Sequence, residues 1–166
     1  MDKELLEQLY RRHYAPALLY CTALCGDHHL AQDIVADAFV KACLSLPDDV
    51  PSFRYWLLRV CRNLWIDHKR RQQFVTSDEP LQYMSDGRTP ETEYLKKEQH
   101  KALWRALDTL SPPDRELVVL HYFSGLSLQE IAPILNVSYA AVRQRMVRLR
   151  QQLKQRMEEQ GYGRHG

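Results

Sequence analysis

The chain has 166 residues, of which 45% are hydrophobic and 27% charged, and it contains six Gly, eight Pro and four Cys. This composition is typical of soluble globular proteins and excludes the collagen-like, disordered and disulfide-rich classes. No apolar run reaches the roughly 18 residues of a membrane span, and the first residues lack the charged and apolar regions of a signal peptide. We therefore expect a cytoplasmic, unprocessed protein with no membrane insertion.

The formal net charge of +2 hides an uneven distribution. Residues 74–100 carry three basic and six acidic side chains, whereas residues 101–166 carry ten basic and six acidic ones. Within the second block, residues 139–156 contain six basic side chains and no acidic one. A local positive field of this kind attracts a polyanion, so nucleic acid is the first partner to consider.

Apolar residues recur with helical spacing along most of the chain, and no segment alternates apolar and polar residues, so the pattern predicts an all-α protein. The first predicted helix covers residues 2–24, with Pro16 as a possible bend, and it ends at Gly26. Asp27 caps the second helix, which ends before Pro47.

The third predicted helix begins after Ser52 and has two different faces. Its apolar face contains Phe53, Trp56, Leu57, Val60, Cys61 and Leu64. The opposite face mixes cations with aromatic and aliphatic side chains and contains Tyr55, Arg59, Arg62, Ile66, Lys69 and Arg70, with Asn63 on its flank. Cations bind phosphates and flat or apolar groups stack on bases, so this face is suited to single-stranded nucleic acid.

A change of composition predicts two small helical domains joined by a flexible linker. Residues 74–92 are acidic and rich in helix-breaking residues, which is typical of a linker. We expect an N-terminal domain at 1–73, a C-terminal domain at 93–160 and a tail at 161–166. The C-terminal domain begins with predicted helices at about 93–110 and, after the cap Ser111, up to residue 123.

A helix-turn-helix follows in the C-terminal domain. Ser127 and Glu130 form a capping box for a short helix that ends near Asn136, and Ser138 caps the next helix. The predicted core of the motif is Ile131, Leu135, Val137, Val142 and Met146 or Leu149. The candidate DNA contacts at the front of the second helix are Ser138, Tyr139, Arg143, Gln144, Arg145 and Arg148. Arg suits guanine, Gln suits adenine, and further arginines anchor phosphates.

Two observations limit this interpretation. A basic amphipathic helix at the end of a chain can also be a solvated face or a helix that binds a partner. Pro133 lies inside the first helix of the motif, where it removes a backbone hydrogen bond at a cost of about 3 kcal/mol. We therefore expect that supporting helix to be bent or shortened.

The order of these segments resembles the extracytoplasmic-function sigma factors of bacterial RNA polymerase. Gly26-Asp27 and residues 31–39 are similar to the segment with which the family binds the polymerase clamp. Residues 53–71 are similar to its promoter-melting and minus-ten helix. Its minus-thirty-five domain is matched by residues 110–116, 122–127 and 130–132. The chain departs from the family at Ala36-Asp37, where Gln-Glu is usual.

The resemblance implies a sigma factor without catalysis, cofactor or metal that directs polymerase core to promoters. Asp33 and Asp37, one turn apart, would bind the clamp of the large subunit. The residues implied in melting and minus-ten capture are Tyr55, Arg59, Arg62, Asn63, Ile66, Lys69 and Arg70, with the loop at 47–52. The upstream promoter element would be read as duplex by the helix-turn-helix. The resemblance also implies an anti-sigma partner.

Other functions remain open at this stage. A conventional helix-turn-helix repressor or activator would bind duplex DNA alone, usually as a dimer. A sigma mimic would bind polymerase or an anti-sigma factor without reading DNA. A zinc site could be formed by Cys21, Cys25, His28 and His29, although both cysteines also fit an apolar helix face. An enzyme is disfavoured because the sequence has no Gly-rich phosphate loop, nucleophile elbow or HExxH motif.

Overall fold

The computed structural model describes residues 2–46, 52–73 and 104–159. Every regular element in these ranges is helical, which confirms the all-α prediction. The predicted linker at 74–92, the loop at 47–51, the start of the helix at 93–103 and the tail at 161–166 lie outside the described residues. None of the helices described is long and apolar enough to cross a membrane.

Three helices form the N-terminal part, and local caps set their ends as predicted. They are α1 (Lys3–Cys25), α2 (His28–Ser45) and α3 (Phe53–Gln72). Gly26 ends α1 in the left-handed conformation, with φ of 68°, and its N–H donates to the Thr22 carbonyl. The Asp27 carboxylate accepts the first free N–H groups of α2, and the Ser52 hydroxyl accepts one from α3. Each such cap contributes about 1 kcal/mol.

The second part of the chain is built from shorter helices. Residues 104–108 are helical, and α4 (Pro112–Val118) follows after the Ser111 cap. A single π-helical turn, Val119–Phe123, continues α4 up to the predicted end of this helix, with the Ser124 N–H bonded to the Val119 carbonyl at 2.8 Å. The helix-turn-helix consists of α5 (Leu128–Leu135) and α6 (Tyr139–Glu159).

The chain divides into two compact units, residues 1–125 and 126–166. The first contains α1 to α4 and the π turn, and the second contains α5 and α6. Both α4 and the π turn contact α1. The boundary between the compact units therefore lies well beyond the predicted linker at 74–92, and the division into domains at 1–73 and 93–160 stays a prediction.

The core of the first unit includes one face of α3 that the sequence pattern did not indicate. Leu57 and Cys61 are buried as predicted. The other four residues of the predicted apolar face, Phe53, Trp56, Val60 and Leu64, are only half-buried. Leu58 is 2% exposed although it lies off that face. Full burial of a leucine contributes about 1.5–3 kcal/mol, so this second apolar contact adds substantially to stability.

In the second unit the packing of the helix-turn-helix is largely as predicted. Ile131, Val142 and Met146 are at most 1% exposed, and so is Leu149. The prediction for Val137 was wrong, because it lies in the turn with 36% of its surface exposed. Its apolar neighbour Ile134 is buried, Leu135 is half-buried, and Ala132 is buried as well.

Pro133 does not shorten α5. The helix continues to Leu135 and is then closed by Asn136, whose φ of 57° is left-handed and whose N–H donates to the Pro133 carbonyl. Because proline has no N–H, Pro133 leaves the carbonyl of Gln129, four residues earlier, without its helical hydrogen bond. Gln129 is exposed, so water can reach that carbonyl. Local solvation therefore offsets part of the lost bond.

Candidate nucleic-acid interface

The two helices of the second unit are joined by a three-residue turn that backbone and side-chain hydrogen bonds hold at both ends. Ser127 and Glu130 form the predicted capping box, with both hydrogen bonds between 3.0 and 3.1 Å. The Val137 N–H donates back to the Ala132 carbonyl at 3.1 Å and closes the end of α5. The Ser138 hydroxyl accepts the Ala141 N–H at 3.1 Å and caps α6. The start of α6 is thereby held by bonds at both ends of the turn.

The predicted contact residues lie at the exposed front of α6. Tyr139, Arg143, Gln144 and Arg148 are exposed, as is Ser138, and Arg145 is half-buried. The Arg143 guanidinium lies 5.5 Å from the centroid of the Tyr139 ring, one turn earlier. This cation–π contact is worth about 0.5–1 kcal/mol at an exposed site and restricts the orientation of the guanidinium.

An apolar element accompanies this basic surface and was missed by the sequence analysis. Ala140 and Val147 line a shallow, open pocket along α6 together with Arg143 and Gln144. Val147 is 53% exposed although it is a β-branched apolar residue. These four side chains follow the spacing i, i+3, i+4 and i+7, so they form one stripe of the helix. We call this set, Ala140, Arg143, Gln144 and Val147, the α6 stripe.

The front of α6 keeps its positive charge. Arg143, Arg145 and Arg148 form no ion pair among the residues that the structure describes. The helix has no acidic residue before Glu158. The guanidinium groups near the turn are therefore available to bind phosphate or base edges.

The polar face of α3 is a second basic surface. Arg59, Asn63, Lys69 and Arg70 are exposed on it, while Tyr55 and Ile66 are half-buried. The Lys69 amine lies 5.6 Å from the centroid of the Trp65 ring, and that ring stacks on His68. The Arg70–Asp67 pair at 3.9 Å is exposed on both sides and contributes little to stability.

Arg62 differs from the other cations of this face because its ion pair is short and largely buried. Its Nε donates to Glu116 Oε1 at 2.6 Å, and the Tyr20 hydroxyl donates to the same oxygen at 2.7 Å. The Arg62 and Glu116 side chains are 22% and 11% exposed. Burial, followed by the nearby carboxylate, raises the pKa of Tyr20 well above its usual value, so its hydroxyl stays a donor.

Neither Glu116, the partner of Arg62, nor Tyr20, which donates to the same carboxylate, was predicted from the sequence. The only signal was the polarity of Glu116 and Tyr20 within apolar stretches of their helices. We call the three side chains, Tyr20, Arg62 and Glu116, the Glu116 cluster.

A third surface lies on α2, where the two predicted acidic contacts are exposed. Asp33 and Asp37 lie one turn apart. The same line of the helix continues with Val40, 55% exposed, and Leu44, 79% exposed. Neither apolar side chain was among the predicted polymerase contacts. Exposed acidic and apolar groups in one line favour a protein partner that offers basic and apolar groups in return.

The cysteines do not form a metal site among the described residues. Cys21 is fully buried, and the Cys25 thiol donates to the Asp27 carbonyl at 3.2 Å. All four cysteines of the chain are free thiols. In the part of the chain that the structure covers, no three His, Cys, Asp or Glu side chains converge as ligands, so the geometry does not support the zinc alternative.

Comparison with known proteins identifies two family models in the chain. Sigma-70 region 2 matches residues 9–75, and Sigma-70 region 4 matches residues 100–153. The region 2 match covers α3 and α2, and the region 4 match runs from the residues before α4 into α6. Residues 104–125 therefore have region 4 sequence but lie in the same compact unit as α1 to α3.

Curated relatives cover most of the chain. It is 33% identical to the ECF RNA polymerase sigma factor SigE of Mycolicibacterium smegmatis, over 89% of this chain and 60% of the relative. It is 30% identical to the ECF RNA polymerase sigma factor SigW of Bacillus subtilis, over 84% of this chain and 81% of the relative. The RNA polymerase sigma factor YlaC of Bacillus subtilis is 32% identical, with 93% of each chain covered.

Two solved structures share the fold. The sigma factor RpoE of Bartonella quintana, in complex with the anti-sigma factor NepR, has a TM-score of 0.65 at 21% identity and covers 95% of this chain and 98% of that one. CnrH, in complex with the cytosolic domain of CnrY, has a TM-score of 0.63 at 24% identity, with coverage of 95% and 90%.

Proposed function

We propose a division of labour among the surfaces of this chain, which belongs to the extracytoplasmic-function sigma factors of bacterial RNA polymerase. A sigma factor binds RNA polymerase core and directs the initiation of transcription at promoters. In the proposed division α6 reads the duplex upstream element, α3 captures the melted minus-ten strand, and α2 binds the polymerase clamp. The chain itself performs no catalysis. Its location is cytoplasmic, because bacterial RNA polymerase acts there.

The observation that carries the upstream assignment is the capped start of α6 with Arg143 and Gln144 exposed beside it. Arg143 and Gln144 lie near the turn, where the recognition helix of a helix-turn-helix meets base edges. Arg143 suits a guanine and Gln144 an adenine, while the methyl groups of Ala140 and Val147 suit the methyl group of thymine. Backbone phosphates are then the targets of the flanking set, Ser138, Tyr139, Arg145 and Arg148.

The minus-ten assignment rests on the mixed chemistry of the α3 face. Melting a base pair costs a few kcal/mol, which stacking and phosphate contacts on the captured strand must offset. Arg59, Asn63, Ile66 and Arg70 follow the spacing i, i+4, i+7 and i+11, so they form one line along α3. Tyr55, Arg62 and Lys69 form the adjacent line. The loop at 47–52, of which residues 47–51 lie outside the described residues, is proposed as a further strand contact.

The α2 line, with Asp33, Asp37, Val40 and Leu44, is proposed to bind the clamp of the large subunit. Its two carboxylates supply electrostatic steering, and the exposed valine and leucine supply apolar area. At residues 36–37 this chain has Ala-Asp where Gln-Glu is usual in the family. The binding energy of Val40 and Leu44 offsets the effect of this departure, because burial of a leucine contributes more than most exposed ion pairs.

We also propose an anti-sigma partner. The two solved neighbours are complexes, one of a sigma factor with an anti-sigma factor and one of CnrH with the cytosolic domain of CnrY. The α2 line is exposed in this chain, so a protein that covers it would prevent binding to polymerase.

A conventional repressor or activator is not favoured. Both sigma-70 regions are present in order, and a repressor does not need a region 2. A sigma mimic would still bind polymerase but would not read DNA, so changing Arg143 would not affect its activity.

Run-off transcription tests the proposal. Purified bacterial core polymerase is incubated with a pool of promoter fragments, with and without this protein, and the transcripts are sequenced. We expect new start sites that share two spaced elements. Arg143→Ala should lower transcription from them, whereas the matched control Lys154→Ala, which removes an exposed charge farther along α6, should not.

The other outcomes would separate the alternatives. DNA binding by the protein alone without any new start site would contradict the sigma assignment and support a repressor. Binding to polymerase without new start sites, with Arg143→Ala unchanged, would support a mimic.

A further inference from the structure

We propose that Glu116 is an internal latch that occupies Arg62 and so blocks part of the strand-binding face of α3 in the free protein. The inference rests on the proposed function of that face and adds a regulatory state to it. In this closed state, residues 104–125 cover one side of α3, and they must leave before Arg62 can bind a DNA phosphate.

The geometry of the Glu116 cluster supports a latch. Glu116 Oε1 accepts two short hydrogen bonds, from Arg62 Nε at 2.6 Å and from the Tyr20 hydroxyl at 2.7 Å. The donors are 54 and 96 residues away in sequence, so a single carboxylate joins α4 to both α3 and α1. Hydrogen bonds to a charged group are about twice as strong as neutral ones, and both donors here are largely shielded from water.

A second contact along α3 shows that the cover extends over two helical turns. Arg54, Leu58 and Arg62 are spaced by four residues and lie on one side of α3. Arg54 approaches Gly125 so closely that a Cβ there would lie 3.1 Å from Arg54 Nη1. Leu58, between the two arginines, is 2% exposed. The segment from Glu116 to Gly125 therefore reaches both ends of this side.

The bound carboxylate and a DNA phosphate compete for the same donor. Arg guanidinium groups bind carboxylates and phosphates through the same N–H donors. Arg62 belongs to the line of α3 that also carries Tyr55 and Lys69, so a captured strand would need it. The neighbouring cations Arg59 and Lys69 stay exposed and can make the first contact with the strand while the latch is closed.

The closed state is expected to dominate in the free chain. Opening separates α4 and the π turn from α1, and Tyr20 and Leu120 are fully buried in the closed unit. Loss of Glu116 alone removes the charged part of this closure and leaves the apolar part. A change at Glu116 should therefore shift the population towards the open state without unfolding the helices.

Single-stranded DNA binding tests the latch directly. A 20-nucleotide fluorescein-labelled oligonucleotide of mixed sequence is titrated by fluorescence anisotropy at low salt. Glu116→Gln keeps the shape of the side chain and removes its charge, and we expect it to bind the probe about tenfold more tightly. Asp108→Asn is the matched control, because it removes the same charge from an exposed position of the same segment.

Two further variants separate a freed Arg62 from a general charge effect. The double variant Glu116→Gln with Arg62→Ala should lose the gain, since the donor that was released is gone. Tyr20→Phe removes one of the two hydrogen bonds to Glu116 and keeps the buried ring, so it should give a smaller gain in affinity for the oligonucleotide. It replaces Glu116→Gln as the test variant if Glu116→Gln fails to fold. Circular dichroism verifies the helical content of each variant.

Hydrogen exchange measured by mass spectrometry reports opening without DNA. Peptides from residues 104–123 should exchange faster in Glu116→Gln than in Asp108→Asn. The proposal is overturned by a gain no larger than that of Asp108→Asn, by a gain that persists without Arg62, or by faster exchange without any gain in affinity. If the wild-type protein gives no new start sites in run-off transcription although Glu116→Gln binds the oligonucleotide more tightly, the proposed function is refuted and the latch is supported.

Discussion

Arg143→Ala tests how the α6 stripe reads duplex DNA. Arg143 is exposed, has no ion-pair partner among the described residues, and lies 5.5 Å from the Tyr139 ring centroid. A bidentate contact to guanine is worth about 1–3 kcal/mol, so the variant should bind its upstream duplex roughly 5- to 150-fold more weakly. The ring contact adds about 0.5–1 kcal/mol, so Tyr139→Ala should cost at least about two- to fivefold, while Tyr139→Phe, which keeps the ring and loses only the hydroxyl's phosphate contact, should cost less than Tyr139→Ala.

The assay is anisotropy with the duplex that run-off transcription identifies, repeated with each base pair replaced in turn. One guanine replacement should weaken the wild type as much as Arg143→Ala does, and the same replacement should have no further effect in the variant. Lys154→Ala is the control for the loss of one charge on α6. If Arg143→Ala instead weakens binding to every duplex equally and lowers the salt slope by about 0.9, Arg143 binds a phosphate and the base-reading argument is wrong.

Three further predictions follow from other parts of the molecule. Burial raises the pKa of Cys25 to about 11 from 9.0, so its contribution to stability is complete below pH 9 and lost as the pH rises through 11. The difference in unfolding free energy between wild type and Cys25→Ala should therefore shrink by about 3 kcal/mol in urea titrations between pH 8 and 12, and a constant difference would contradict the reasoning. Asp37→Lys and Leu44→Glu should each weaken binding to core polymerase in surface plasmon resonance while duplex binding stays unchanged; normal polymerase binding by both would remove α2 from the interface. Ser127→Ala should lower the unfolding free energy by about 1 kcal/mol through loss of the α5 cap, compared with a smaller effect of Ser45→Ala at the exposed end of α2.

The elements that could be predicted correctly depend on neighbours a few residues away. Gly26, Asp27, Ser52 and the Ser127 capping box set helix ends through hydrogen bonds that span two to four residues. The buried residues of the helix-turn-helix follow from helical periodicity, because one side of each helix has to leave water. Residue types and their spacing within single helices were thus enough to predict most of the secondary structure and the exposed cations of α6.

Contacts between distant segments decided what periodicity could not. Val137 lies in the turn, where no helical period assigns a direction, and it is exposed rather than buried. The polar side of α3 looked uniformly solvated, yet Leu58 beside it is buried and Glu116 binds Arg62. Whether a given side of α3 meets water or protein depends on which other segment packs there. Glu116, which binds Arg62, is 54 residues from it in sequence and 96 residues from Tyr20, the other donor to the same oxygen. The local sequence therefore determined where each helix lies and which charges it carries. Long-range packing determined which of those charges remain free to bind DNA.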